Sequence, residues 1–281
     1  MSNQARFQED LPRLAAENFE IASRCCCQSC AHMHGLWPYI RLARASIAAE
    51  GASSPLDPVL AGLFAEGRRS ILVAGSQDTG LLALVARAGG ATDPDIVILD
   101  RCATPLQSCQ RLARSWSLPI ATMHEDLMSL DARNRFDIVL LHGTLHYIPA
   151  GRRADVLARL RRALRPGGRL VLLLTTTSRI SGDLAAEARS GFASWVIEEL
   201  ERLAIRLPEE REAFAARLRA HNENRYGLAF SRPEEAHDLL TSAGFSVLQS
   251  LEISASLAAP MRKFVARSSA RRFVVVAEAH G

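Results

Sequence analysis

Apolar residues in this chain fall into two alternating kinds of run. Short continuous blocks at 71–74, 95–99 (DIVIL), 136–141 (FDIVLL) and 169–175 (RLVLLLT) are too brief for helices and rich in Ile, Val and Leu. Such blocks fit strands buried on both faces. Between them the apolar residues take a helical spacing. Leu81, Leu82, Leu84 and Val85 share one face just after the first strand, and helices are predicted at 105–116 and 152–164. A third strand at 119–123 and two late ones at 245–253 and 272–279 bring the expected strands to seven. The last pair follows a helix at 233–243 that stops at Gly244. Strands alternating with helices predict an α/β protein built on a doubly wound, mostly parallel seven-stranded sheet, with helices on both faces.

Two segments break this rhythm. Residues 4–49 read as helices, with Leu11, Leu14, Phe19, Ile21 and Ala22 on one apolar face and Trp37, Ile40, Leu42 and Ile47 on another. A turn-rich stretch, GASSPLDP at 51–58, then leads into a short helix at 60–66. The expected division is an N-terminal helical cap over 1–58 and a main domain over 59–281. Inside the latter, residues 178–224 are amphipathic and rich in Arg and Glu, predicting a helical lid insertion over about 178–230.

Composition narrows the setting more than the chemistry. The 281 residues are 48% hydrophobic and 23% charged, enough for a sizeable core. The net charge is only +4, and Lys263 is the one lysine, so arginine usage gives no reason to expect a nucleic-acid partner. The opening residues lack the apolar core of a leader, and no apolar run is long enough to span a bilayer, so no membrane association is expected. Four of the six cysteines crowd into residues 25–30, which is not a spread disulfide framework. A reducing cytoplasm is the expected home.

The chemistry gathers at the ends of the strands. After the first comes GSQDTG, with glycines at Gly75 and Gly80, opening a helix as a nucleotide-binding loop does. It lacks the middle glycine of G-x-G-x-G and does not match the G-x-G-x-x-G fingerprint. The second strand closes on Asp100, about 20 residues beyond the loop as a ribose-binding acid would be. HEDLMSL follows the third strand, FDIVLLHGTLHYIP carries the fourth, and LRRALRPGGRLVLL leads into the fifth. FSRPEEAHDLLTSAGFSVLQSLEI closes the pattern.

In that order, from about Ser70 to the C-terminus, these segments resemble the class I S-adenosylmethionine-dependent methyltransferases of the small-molecule type. The resemblance implies S-adenosyl-L-methionine as cofactor and a small-molecule methyl acceptor, with an O, N or C nucleophile left open. Gly75 and Gly80 would let backbone amides face the methionyl part. Asp100 would accept from both ribose hydroxyls, Asp126 with the backbone of Leu127 would meet the adenine, and His142 would lie near the reactive end. The family's usual acid two residues before its first glycine is here Val73, and the loop is one residue longer, with Asp78 filling it. Asp78 is therefore a candidate replacement for that acid. His142 and His146 are candidate general bases, while His146 also suits a packing role. A catalytically silent relative that binds a ligand or partner is the alternative, and the glycine spacing disfavours a nicotinamide enzyme.

The N-terminal stretch CCCQSCAHMHGLWPY admits three readings. If it is helical, Cys27, Cys30 and His34 share a face and Cys26 neighbours Cys30, as thiolate and imidazole ligands of zinc could. The spacing fits no standard finger, and cysteines also serve as small core residues, so no metal is expected. The preferred reading makes this segment, with Trp37 and Tyr39, a wall of the substrate pocket. Tyr147, Arg225 and Tyr226 are further candidate substrate contacts, as are Arg179, Arg189, His221, Asn222 and Asn224. A monomer or homodimer is expected.

Overall fold

The computed structural model describes residues 3–26, 30, 33–45, 54–76, 78–176, 186–224, 230–253 and 271–280. The continuous apolar blocks form the central sheet: β1 (Ser70–Ala74), β2 (Asp95–Asp100), β3 (Ile120–His124), β4 (Phe136–His142) and β5 (Leu164–Thr176), completed by β6 (Phe245–Ile253) and β7 (Arg271–Ala279). Their order is β3-β2-β1-β4-β5-β7-β6. The first five pair in parallel, whereas β7 runs antiparallel to both β5 and β6. The order reverses between β1 and β4, which opens a crevice at the carboxyl ends of those strands.

Strand residues alternate between two apolar layers, which is why the strands read as unbroken hydrophobic runs. Ile71, Val73, Ile96, Ile98, Ile138 and Leu140 face one layer. Leu72, Ala74, Val97, Leu99, Val139 and Leu141 face the other. The first layer is filled by α3 (Leu56–Ala65), α4 (Gly80–Gly89) and α5 (Ala103–Trp116). The second is filled by α6 (Ala150–Ala163) and α9 (Pro233–Ser242). Among the described residues no helix is long and apolar enough to cross a membrane.

The stretch at 51–58 is not linker throughout, because α3 already begins at Leu56. Pro58 sits in its first turn, where a missing N–H breaks no helical bond. The PGG turn likewise falls inside β5: Phe136 pairs with Leu164 and Ile138 with Arg169, so the extra residues form a bulge, with Gly167 at φ +71°.

The N-terminal helices α1 (Asn3–Cys25) and α2 (Trp37–Ala45), and the inserted α7 (Ala186–Arg202) and α8 (Arg211–Asn224), share the first layer's core. Phe7 meets Trp116 edge to face at 6.2 Å, tying α1 to α5. Tyr39 lies between Phe19 at 6.3 Å and Phe214 at 5.5 Å, joining both N-terminal helices to α8. A boundary at residue 58 therefore runs through one continuous hydrophobic cluster.

Candidate functional site

A cavity of about 250 Å³ opens at the carboxyl ends of β1, β2 and β4. Gly75 enters it at φ +79°, a conformation glycine adopts without strain. A Cβ there would come within 2.7 Å of the Thr144 side chain, whose hydroxyl donates to the Ala74 carbonyl at 3.0 Å. The tight turn between β1 and α4 thus requires Gly75 for both its dihedral and its space.

Asp100 stands beside this turn, 7% exposed. Its Oδ2 accepts the Ser76 N–H at 2.9 Å and its Oδ1 the Cys102 N–H at 2.8 Å. Burial pushes its carboxyl up, opposed by the Cys102 and Ser76 N–H bonds and by His34. Two of the carboxylate's roughly four acceptor sites are thus used on backbone. Asp100 lines the cavity, so the remaining capacity is available to a ligand there. Asp126 and Leu127 line the same cavity. The Asp126 carboxylate accepts the Met128 N–H at 2.8 Å, which fixes the turn after β3.

Asp78 and Gly80 take a different place from Gly75. Asp78 is 2% exposed and is gripped by Arg41 of α2 through two bonds, Nε to Oδ2 at 2.9 Å and Nη2 to Oδ1 at 2.8 Å. It also accepts the Gly80 N–H at 2.8 Å. A Cβ on Gly80 would collide with the Arg41 guanidinium at 2.1 Å. The second glycine and the loop acid therefore accommodate an arginine from the N-terminal helices. Neither is among the residues lining the cavity. No pattern in the sequence pairs Arg41 with Asp78, because the contact joins distant segments.

The two candidate bases separate. His142, half-buried, lines the cavity. Burial, followed by the charge of Arg41, pulls its imidazole down to about 4, so it is neutral at physiological pH. His146 is buried, and its Nε2 accepts the Thr175 N–H at 3.0 Å, with its ring edge-on to Phe230 at 6.2 Å. Burial also brings His146 down to about 4. Its accepting nitrogen is already occupied by β5.

Among the candidate substrate contacts, Tyr147 lines the cavity and is 41% exposed. Tyr39 is buried in the aromatic core described above, and Trp37 packs beside His221 at 6.1 Å and under Arg44 at 5.4 Å. Neither is among the lining residues; the wall on that side is supplied by Cys30, Met33 and His34. Arg179, Arg225 and Tyr226 lie outside the described residues, as does Cys27. Ser76 and Thr144, which shape the cavity, were not singled out from sequence. Their positions next to Gly75 and just past His142 are the signal that could have found them.

Residues 71–168 match the family described as methyltransferase domain. Carboxy-S-adenosyl-L-methionine synthase of Ectopseudomonas mendocina is 32% identical over 121 residues, 41% of this chain. That match spans about half (48%) of the length of the relative. Among solved structures, a 1,6-didemethyltoxoflavin-N1-methyltransferase of Burkholderia thailandensis, bound to 1,6-didemethyltoxoflavin and S-adenosylhomocysteine, superposes with a TM-score of 0.53 at 18% identity. The alignment covers 86% of this chain and 89% of that one. The [4+2]-cyclase SpnF superposes at 0.55 with 15% identity, covering 87% and 92%. These two likenesses are likenesses of fold.

Proposed function

We propose that this chain, which carries a class I methyltransferase domain, binds S-adenosyl-L-methionine in the cavity at the ends of β1, β2 and β4 and passes its methyl group to a small molecule. The observation that carries this reading is Asp100, a buried carboxylate lining that cavity and held by two backbone N–H groups beside the Gly75 turn. A carboxylate there can accept from two neighbouring hydroxyls at once, as a ribose presents them. Asp126 and Leu127, on the same wall, are the candidates to meet the adenine. The cofactor supplies an electrophilic methyl group, and the chain positions the acceptor and excludes water. His142, on the cavity wall, is the candidate to take a proton from an O–H or N–H acceptor. Tyr147 is the candidate acceptor contact. Four of the six cysteines crowd into residues 25–30 rather than spreading into a disulfide framework, which supports a reducing, cytoplasmic setting.

Calorimetric titration tests the reading. Wild-type protein is expected to bind S-adenosylmethionine and S-adenosylhomocysteine at micromolar affinity, about −8 kcal/mol. Asp100→Asn should weaken both about 10- to 100-fold, the loss of one or two hydrogen bonds to a charged acceptor. Circular dichroism confirms that the variant is folded. Unchanged affinity in a folded Asp100→Asn protein would remove the ribose assignment.

Because the same fold also serves a [4+2]-cyclase, a second reading has the cofactor bound without its methyl being transferred. Incubation with methyl-labelled cofactor and a small-molecule pool separates the two. Label appearing in product supports transfer, and tight binding without label supports the second reading.

A further inference from the structure

Three thiols and an imidazole converge where the N-terminal segment meets the turn after β2. The donor atoms of Cys26, Cys30, His34 and Cys102 all lie within 4.8 Å of one another. Cys26 Sγ is 3.5 Å and Cys30 Sγ 3.7 Å from Cys102 Sγ. In a tetrahedral site with metal–sulfur bonds of about 2.3 Å, neighbouring sulfurs sit about 3.8 Å apart. The observed separations are close to the edges of that tetrahedron. Cys109, by contrast, lies within the first apolar layer, its thiol donating to the Asp78 carbonyl at 3.8 Å.

We propose that Cys26, Cys30, His34 and Cys102 form a Cys₃His site for zinc(II) or a similarly borderline-soft divalent ion. Three thiolates and one imidazole are a donor set for structural zinc, which takes four ligands and leaves no open position. Cys30, His34 and Cys102 are each 6% exposed, so the ion would be shielded on most sides. Cys26 is half-buried and supplies the corner open to entry. The surroundings hold the ligands in place. The Asn18 side-chain amide donates to the His34 carbonyl, and Ser108 in turn donates to Asn18 at 2.5 Å. The Cys102 N–H is fixed on Asp100. These bonds fix the backbone that carries His34 and Cys102.

Cys102 comes from the turn that also carries Asp100, while the other three ligands come from the N-terminal segment. An ion at this point cross-links the two and sets the wall formed by Cys30 and His34. Binding exchanges thiol protons for the metal and changes no oxidation state. All four donors belong to the chain, so the site is measured without the cofactor.

The test is titration of the full-length, reduced, chelator-treated protein with cobalt(II), followed by zinc(II). One equivalent of cobalt is expected, with the intense visible bands and thiolate-to-cobalt charge transfer of a tetrahedral site, and zinc should displace it. Cys102→Ser and Cys26→Ser should each weaken binding by at least about 10- to 100-fold, the loss already seen when only an outer-shell partner is removed. Cys109→Ser should leave binding unchanged. Cys26→Ser alters the half-exposed corner and serves should Cys102→Ser fail to fold. A folded, reduced wild type without the tetrahedral thiolate spectrum overturns the proposal. So does an unaltered spectrum in Cys26→Ser, or a Cys26–Cys102 disulfide that forms in the presence of excess zinc.

Discussion

Asp137 shows how much a single carboxylate can contribute outside the candidate cavity. It stands in β4 beside the start of β1, where Ser70 and Arg69 donate backbone N–H bonds at 2.9 Å and Arg165 forms an ion pair at 2.8 Å. Burial alone would raise its carboxyl, but the Ser70 and Arg69 N–H bonds, Arg165 and the Ser70 hydroxyl outweigh it and hold Asp137 at about 2. The unfolded value is near 4, so the folded chain keeps this group ionised more strongly than the unfolded one. Its stabilisation is complete above about pH 4 and is lost as the pH falls toward 2. Urea unfolding from pH 7 to 2 should show a drop of about 2 kcal/mol over that window. The drop should shrink in Asp137→Asn, which should also be less stable at pH 7. At this scale much was legible. Gly75 and Asp100 leave local marks in the sequence, a turn needing positive φ and an acid ending a strand. Arg41, Tyr39 and Cys102 do not, since each owes its role to a neighbour far away in the chain. An arginine, an aromatic and a cysteine are equally at home on a surface, in a core or in a site.

Between elements, Arg41 ties α2 to the loop that runs from Gly75 into α4. The Arg41–Asp78 pair joins a carboxylate 2% exposed to a guanidinium whose side chain is 32% exposed. Removing Arg41 leaves a buried carboxylate holding one N–H and opens space against Gly80. Losing one partner of a fully buried pair costs about 3–5 kcal/mol, and the partial exposure of Arg41 lowers that to about 1–3 kcal/mol. Arg41→Ala should lower the thermal midpoint accordingly and weaken S-adenosylhomocysteine binding through the displaced loop. Arg41→Lys should restore little, because an ammonium cannot make the paired contact. Unaltered binding in a folded Arg41→Ala protein would separate the loop's position from this tie. The elements themselves were readable because parallel strands, buried on both faces, appear as unbroken apolar runs. Their ends were less so. Leu56–Ala65 starts inside a Pro-rich stretch and β5 runs through a Pro-Gly-Gly bulge, both cases where local turn chemistry is absorbed into a longer element.

Across the whole molecule, the core does not divide where the sequence rhythm changes. Phe214 of the insertion is fully buried against Tyr39, in the same apolar layer that holds Ile71 and Ile98 of the sheet. Phe214→Ala should therefore destabilise the entire fold by about 3–5 kcal/mol. Tryptophan fluorescence and far-ultraviolet circular dichroism should report one shared transition in urea. Two separated transitions would mean that the helices beyond the sheet melt on their own. The seating of Phe7 on Trp116 also sets an order of events in the cell. The ribosome delivers α1 well before α5, and residues arrive at only about 5–20 per second. For several seconds, then, the newborn α1 carries Phe7 without the Trp116 ring that covers it in the finished fold. A helper that shields greasy stretches on unfinished chains has its opening at that moment, before the crevice exists.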